Sequence, residues 1–222
     1  MAKQDRYFSV DVEASGPIPG PWWMPSLGIC PTDDLEDGLK LVLKPLVLCY
    51  PVLKGIQRED VTGAMKVVSQ GVEDFTWDPS KPDKVNSVDL YNHHVYFGQE
   101  IKPAFQTLKA WLAARTDGGK FRPYIVGAPL SFDFMWLYWY YQFALGEMPK
   151  FGFSGLDMRS YFMGMHGESA LRTNKRRYKQ KYPTNRPHTH DPLDDAQEQG
   201  DIWQQMVTAR RHKHLGNPPG TC

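Results

Sequence analysis

The stretch RYFSVDVEASG, residues 6–16, joins a run of aromatic and β-branched residues to two carboxylates. Such a run predicts a strand that is buried on both faces of a mixed or parallel sheet. Asp11 and Glu13 are two positions apart, so their side chains leave the same face of a strand. Two carboxylates side by side repel each other unless a cation lies between them. Either the strand ends at Val10 and both acids are solvated, or the acids hold a metal ion.

Patterns of strands and helices alternate along the rest of the chain, which predicts an α/β fold. SLGICPT and GLKLVLKPL indicate two further strands, and RPYIVGAP a fourth. Helical spacing in QEIKPAFQTLKAWLAARTDGG and the apolar run FDFMWLYWYYQFALG predict the helices on either side of the fourth strand. GLDMRSYFM indicates a last strand, and the segment from Pro192 to about His214 a last helix. Residues 49–98, with no sustained period, indicate an irregular, partly helical insertion.

Composition limits the class of protein. A chain of 222 residues with 41% hydrophobic content predicts a single domain over residues 1–222. The formal net charge of +1 gives no bulk argument for a nucleic-acid or membrane partner, so charged patches must be read locally. Three widely spaced cysteines favour a reducing compartment. With no segment typical of a signal peptide or a membrane span, we expect a soluble cytoplasmic protein with no membrane partner.

A third acid, Asp133, follows the fourth predicted strand in PLSFDF and lies at the start of an aromatic helix. A carboxylate in that position often caps the helix, so capping alone explains it as well as a functional role does. The neighbouring Phe132 has two interpretations: it packs in the core, or it stacks on a nucleobase at the edge of a cleft.

The segment HTHDPLDD places a histidine before a helix and a carboxylate in the first turns of that helix. His190 precedes Asp195 by five positions, so both side chains can face one cleft. His188 is a competing imidazole, and His190 is preferred only for its spacing. The acids here are also typical of a first turn stabilised by the helix dipole.

Four carboxylates that converge from a strand and two helices form a site for two hard divalent cations, because Mg²⁺ prefers oxygen ligands. Two such ions activate water and stabilise the leaving oxygen in phosphodiester cleavage, and a nearby imidazole can take the proton of the water. The acids of the first strand are therefore interpreted as metal ligands.

These motifs resemble those of the DEDDh, or DnaQ-like, 3'-to-5' exonucleases. VDVEASG is similar to the first motif of the family, PLSFDF to the second and HDPLDD to the third, in the family's order along the chain. The resemblance implies an RNase H-like fold, with a five-stranded mixed β-sheet flanked by α-helices. It implies a metal-dependent exonuclease that uses two Mg²⁺ or Mn²⁺ ions to hydrolyse phosphodiester bonds at the free 3' end of single-stranded nucleic acid, DNA or RNA. Many members of the family are dimers, so a homodimer is left open.

The resemblance also implies a role for each residue that matches a motif. Asp11, Glu13 and Asp195 would be ligands of one metal ion, with Asp11 bridging to a second. Asp133 would support the second ion through water, and His190 would be the general base. The residues that follow the first motif would lie beside the 3'-terminal nucleotide, namely Ala14 and Ser15.

A basic segment, residues 169–190, precedes the predicted general base and contains no acidic residue between Glu168 and Asp191. As a flexible basic loop beside a metal site, it would bind phosphates through residues such as Arg176 and Arg177, and Tyr178 and Tyr182 could stack on bases. The alternative is a solvated loop with no partner.

Two other functions remain open from the sequence. A catalytically silent module of the same fold would bind nucleic acid without turnover, but such a module has no physical need for clustered acids. A nuclease that trims dinucleotides or very short oligomers would use the same chemistry, although the basic segment favours longer strands.

Overall fold

The computed structural model describes residues 4–46 and 59–216. The strands are β1 Gln4–Glu13, β2 Ser26–Pro31, β3 Leu39–Val42, β4 Phe121–Gly127 and β5 Gly155–Asp157. The helices are α1 Glu59–Val68, α2 Asp83–Phe97, α3 Ile101–Arg115, α4 Leu130–Leu145, α5 Met158–His166, α6 Lys175–Lys181 and α7 Pro192–Gly216. Over these two ranges, no helix combines the length and the apolar character needed to cross a membrane.

Among the described residues, five strands form one mixed sheet in the order β3-β2-β1-β4-β5. The central strand β1 pairs antiparallel with β2 and parallel with β4. At the edges, β3 runs antiparallel to β2, and β5 runs parallel to β4. The predicted α/β class and five-stranded mixed sheet are confirmed.

The two faces of β1 differ in chemistry. Phe8, Val10 and Val12 are buried in the main core, together with apolar residues of α3 and α4. Asp11 and Glu13 alternate with these residues and therefore point to the opposite face. Helix α7 covers that face, since the Gln199 side chain in α7 donates a hydrogen bond to Asp11. The carboxylates consequently lie between the central strand and the last helix.

The predicted last strand is wrong over most of its length, because GLDMRSYFM forms only the three-residue β5 and then helix α5. Asp157 is the reason: one of its carboxylate oxygens accepts hydrogen bonds from the backbone N–H and the hydroxyl of Ser160, each at 2.7 Å, and so caps α5. Its other oxygen accepts a hydrogen bond from the backbone N–H of Leu130 at 3.0 Å, at the start of α4.

The predicted insertion contains more regular structure than its pattern indicated. Residues 49–58 of it lie outside the described residues, while residues 59–98 include α1 and α2. The buried residues of α2 are Asn86, Leu90 and His94, which recur every four positions but are mostly polar. Hydrophobic periodicity therefore could not reveal this helix.

The basic segment is not simply a flexible loop, because α6 lies within it. The side chain of Asn174 caps this helix by accepting a hydrogen bond from the backbone N–H of Arg177 at 3.0 Å. Tyr178 and Tyr182 are buried against Phe162 in a second core cluster. The expectation that these tyrosines stack on nucleobases is therefore wrong, because their rings are covered by the protein.

Candidate metal centre

The structure brings Asp11, Glu13 and Asp195 together at the carboxyl end of β1. One carboxylate oxygen from each residue lies within 4.8 Å of the others. Asp11 and Glu13 come from the same face of β1, and Asp195 comes from the first turns of α7. The first interpretation of the sequence, with both acids solvated beyond a strand ending at Val10, is wrong, because β1 continues to Glu13.

The close approach of α7 to the sheet positions Asp195. Gly28 lies opposite Asp11 on β2, and a Cβ atom at residue 28 would stand only 2.1 Å from the carbonyl oxygen of Pro192. A side chain at residue 28 would therefore push away the start of α7. The Asp191 carboxylate caps this helix by accepting a hydrogen bond from the backbone N–H of Leu193 at 2.9 Å.

Asp133 approaches the same strand from α4 and is buried. Its Oδ1 atom accepts a hydrogen bond from the backbone N–H of Val12 at 3.2 Å. Residue Pro129 occupies the N-cap position of α4, so Asp133 is not the cap of this helix. Its carboxylate lies outside the 4.8 Å group, but the charges of Asp11 and Glu13 help to raise its pKa.

The charges of these acids are poorly compensated. Burial raises the pKa of Asp11 to about 7, and the neighbouring Asp195 charge adds to the rise, while Lys175 and the Gln199 amide oppose it. Burial, followed by the charge of Asp11, raises the pKa of Glu13 to about 9. The same two causes raise the pKa of Asp133 well above its usual range. A bound cation would favour the ionised form of each acid.

Both candidate histidines lie beside Asp195. Nitrogen atoms of His188 and His190 and an oxygen atom of Asp195 lie within 4.8 Å of one another, and the two ring centres are 4.7 Å apart. His188 Nδ1 is 2.6 Å from Asp195 Oδ2. His190 has a φ of 61°, a left-handed conformation that is uncommon for a residue with a side chain. The structure thus keeps both imidazoles within reach of the carboxylates.

The residues predicted to contact substrate have mixed environments. Ser15 is buried, and its hydroxyl accepts a hydrogen bond from the backbone N–H of Trp23 at 3.0 Å. Ala14 and Phe132 are partly buried against the main core. The ring centre of Phe132 is 6.2 Å from that of Trp136. The contacts of Phe132 therefore support core packing, which is one of its two predicted roles.

Acidic partners neutralise much of the basic segment. Lys175 and Lys179 both pair with Glu198, which is fully buried in α7. Arg177 pairs with Glu168 at 2.9 Å, whereas Arg176 is exposed and has no acidic partner within the described parts of the chain. The two arginines that the sequence grouped together therefore differ in the structure.

Sequence reasoning missed Gln199 and Glu198. Gln199 Nε2 donates a hydrogen bond of 2.9 Å to Asp11 Oδ1, and Glu198 binds the lysines of α6. Glu198 follows Asp195 by three positions and Gln199 by four, so all three residues share one face of a helix. Helical spacing counted from Asp195 was the signal that could have found them.

Comparison with protein-family models gives no match. Among curated proteins, the chain is 27% identical to the 3'-5' DNA exonuclease Cap18 of Escherichia coli over 212 residues, 96% of this chain and 97% of that protein. Among solved structures, it is similar to the nuclease domain of 3'hExo, a DEDDh family member bound to rAMP. The TM-score is 0.65 at 13% identity, over 94% of this chain and 95% of that one.

A third similarity is to the zinc-bound form of the Escherichia coli ExoI complex with single-stranded DNA. Its TM-score is 0.53 at 13% identity, over 96% of this chain and 42% of that one. These comparisons confirm the RNase H-like exonuclease fold and the resemblance to DEDDh exonucleases that the three motifs indicate.

Proposed function

We propose that this chain is a divalent-metal-dependent 3'-to-5' exonuclease that acts on single-stranded nucleic acid. The observation that carries the proposal is the cluster of Asp11, Glu13 and Asp195, whose oxygen atoms approach within 4.8 Å in a largely buried site. Similarity over nearly the whole length to a curated 3'-5' DNA exonuclease supports it.

The chemistry of the donor set fits hard divalent cations. The available ligand atoms are carboxylate oxygens, which suit Mg²⁺ and Mn²⁺. Asp11, Glu13 and Asp195 would hold one ion, Asp11 would also reach a second, and Asp133 would support that second ion. When bound, such ions activate a water molecule and stabilise the leaving oxygen of the phosphodiester.

The protein itself supplies positioning and proton transfer. The Gln199 amide fixes the orientation of Asp11 through its hydrogen bond to Oδ1. His190 would take the proton of the attacking water, with His188 as the second candidate because its ring lies against Asp195. Thr189, between the two histidines, is held by a hydrogen bond of 3.0 Å from its backbone N–H to Asp195. General base and carboxylate are therefore fixed relative to each other.

The proposed substrate is a strand with an unpaired 3' end. Ala14 and Ser15 follow the carboxylates along the chain and would lie beside the terminal nucleotide, and Phe132 would lie at the edge of the same cleft. Arg176 is an exposed cation that can bind a backbone phosphate, and Arg177 would add to it on leaving Glu168. The relatives are named for DNA in one case and bound to rAMP in another, so either sugar fits the proposal.

The test uses 5'-labelled single-stranded DNA and RNA of the same sequence, incubated with Mg²⁺ or Mn²⁺. We expect a ladder that shortens from the 3' end and is abolished by EDTA and by Asp11→Ala. Asp5→Ala is a matched control, because Asp5 lies on the same strand about 20 Å away and pairs with Arg122 at the surface. Strands that bind but stay intact would instead identify a silent binding module.

A further inference from the structure

A cavity of about 700 Å³ lies at the amino end of β1, far from the carboxylates. Tyr7 lines it and is four positions from Asp11 on the same face of the strand, which separates the two residues by about 13 Å. Helix α7 extends about 24 Å from Asp195 to Arg211, which also lines the cavity. The cavity is therefore separate from the candidate metal centre. Its volume is in the range of small-molecule sites, about 300–1,000 Å³.

The floor and one wall of the cavity are aromatic. Tyr7 lies opposite Tyr124 in the parallel pair of β1 and β4, and the two ring centres are 6.1 Å apart. The ring centre of Trp203 in α7 is 5.5 Å from that of Tyr7 and 4.6 Å from that of Tyr161 in α5. Trp203 is buried, whereas the three tyrosines are only half-buried. Accessible aromatic rings suit a planar ligand, because flat rings stack on one another.

The rim of the cavity is cationic. Arg210 and Arg211 line it, are exposed and have no acidic partner within the described ranges of the chain. The guanidinium carbon of Arg210 lies 5.7 Å from the ring centre of Tyr161. Asp5 is also at the cavity, but its carboxylate pairs with Arg122 at 2.9 Å. Two uncompensated guanidinium groups suit a phosphate, whose oxygens accept their paired N–H groups.

A nucleotide meets both requirements in one molecule, since its sugar joins a flat base to a phosphate. We propose that this cavity binds a nucleotide, with the base against the tyrosine rings and the phosphate at Arg210 and Arg211. The nucleotide is either free or one unit of a longer strand, because both present the same base, sugar and phosphate. Binding here requires no cleavage at the metal centre, so the proposal stands or falls independently of the exonuclease function.

Calorimetric titrations with nucleoside 5'-monophosphates carrying each of the four bases test the ligand class. The buffer contains EDTA, so that no divalent ion recruits a phosphate to the carboxylates. For a nucleotide that binds, ribose 5-phosphate and the matching nucleoside should bind about tenfold more weakly or worse, because each lacks one of the two recognised groups. Ribose 5-phosphate that binds as tightly as the nucleotide would overturn the proposal.

Two variants test the location. Arg211→Gln keeps a long polar side chain but removes the charge, and should weaken nucleotide binding about tenfold. Tyr124→Leu keeps an apolar side chain but removes the flat ring, and should weaken binding several-fold. Lys84→Gln is the control, because Lys84 is an exposed cation of α2 that does not line the cavity, and it should leave affinity unchanged.

Asp11→Ala separates this cavity from the metal centre. In EDTA it should bind the nucleotide as well as wild type does. Loss of binding in Asp11→Ala, with none in Arg211→Gln, would assign the nucleotide to the carboxylate site and overturn the proposal. Because Arg211 is exposed, its replacement should not disturb folding, and the result does not depend on whether Tyr124→Leu folds.

The two sources of the nucleotide are distinguished with a labelled single strand, followed by fluorescence anisotropy in EDTA. Mononucleotide binding that is weakened by Arg211→Gln would identify a free nucleotide as a ligand. Arg211-dependent binding of the strand alone would identify a unit of a longer strand. If neither mononucleotides nor the strand bind in a way that depends on Arg211, the cavity is not a nucleotide site.

Discussion

The carboxylates around β1 and the cations of the basic segment are both charge clusters, but they differ in how far opposite charges compensate them. Asp11, Glu13 and Asp195 are brought together without an equal number of cations, and burial and mutual repulsion raise the pKa values of Asp11 and Glu13. Lys175 and Lys179, in contrast, close onto the buried Glu198. Buried, uncompensated carboxylates are the arrangement that the proposed cation site requires, whereas the compensated charges of Lys175, Lys179 and Glu198 join α6 to α7.

The largest expected effect is loss of activity in Glu13→Gln. This change keeps the shape of the side chain but removes a proposed metal ligand, so the single-turnover rate should fall roughly a thousandfold, corresponding to several kcal/mol of transition-state stabilisation. Glu147→Gln, at a surface pair with Lys109, is the control and should keep full activity. Near-normal cleavage by Glu13→Gln would remove the reason for treating the acid cluster as a metal site.

Glu198→Gln should have the next largest effect, this time on stability. Removing this buried charge leaves Lys175 and Lys179 without their acidic partner in α7, and should lower the free energy of unfolding by roughly 2 to 4 kcal/mol. Urea denaturation measures the change. Glu168→Gln, which breaks the surface pair with Arg177, is the control and should change little. If both variants unfold alike, Glu198 does not join the helices.

The acid cluster should make the stability of the folded protein depend on pH, and a bound cation should oppose that dependence. The pKa of Glu13 is about 9 in the folded protein and that of Asp11 about 7, above unfolded values near 4. Both acids are protonated in the folded and unfolded states below pH 4, and above it the unfolded state ionises first. Metal-free protein should therefore lose stability as the pH rises from about 4 to 9.

Added Mg²⁺ or Mn²⁺ binds the ionised acids, so it should raise Tm most at the alkaline end of this range. At roughly a hundred times the dissociation constant, the rise should be about 5 °C, measured by calorimetry. The rise should be absent from Glu13→Gln. A cation effect that is equal in wild type and Glu13→Gln would locate binding elsewhere.

The smallest expected effect is a difference in nucleic-acid binding between variants of the two arginines in the basic segment. Arg176→Ala should weaken binding of single-stranded nucleic acid a few-fold and reduce the slope of log affinity against log salt by about one. Arg177→Ala should do less, because Glu168 already neutralises this arginine. Anisotropy titrations at several salt concentrations make the measurement. Equal losses would show that the Glu168 pair opens when a strand binds.

Local patterns in the sequence were sufficient to predict β1, α7 and the sheet class. The alternation of Phe8, Val10 and Val12 with Asp11 and Glu13 has the period of a strand, so it also indicated that the two acids share a face. Prediction failed where a single polar contact decides the local structure. Asp157 ends β5 and caps α5, and nothing in the apolar pattern of GLDMRSYFM indicates that.

The sequence by itself indicated which residues could supply metal ligands, and it gave the order of the five strands and of helices α3, α4 and α7. Only the tertiary structure decided their surroundings: α7 reaches Asp11 through the space left at Gly28, and Glu198 neutralises the basic helix. The physical reason is the separation along the chain over which each effect acts. Periodicity and capping act over a few residues, whereas burial, charge compensation and cavity shape depend on residues that are far apart in the chain.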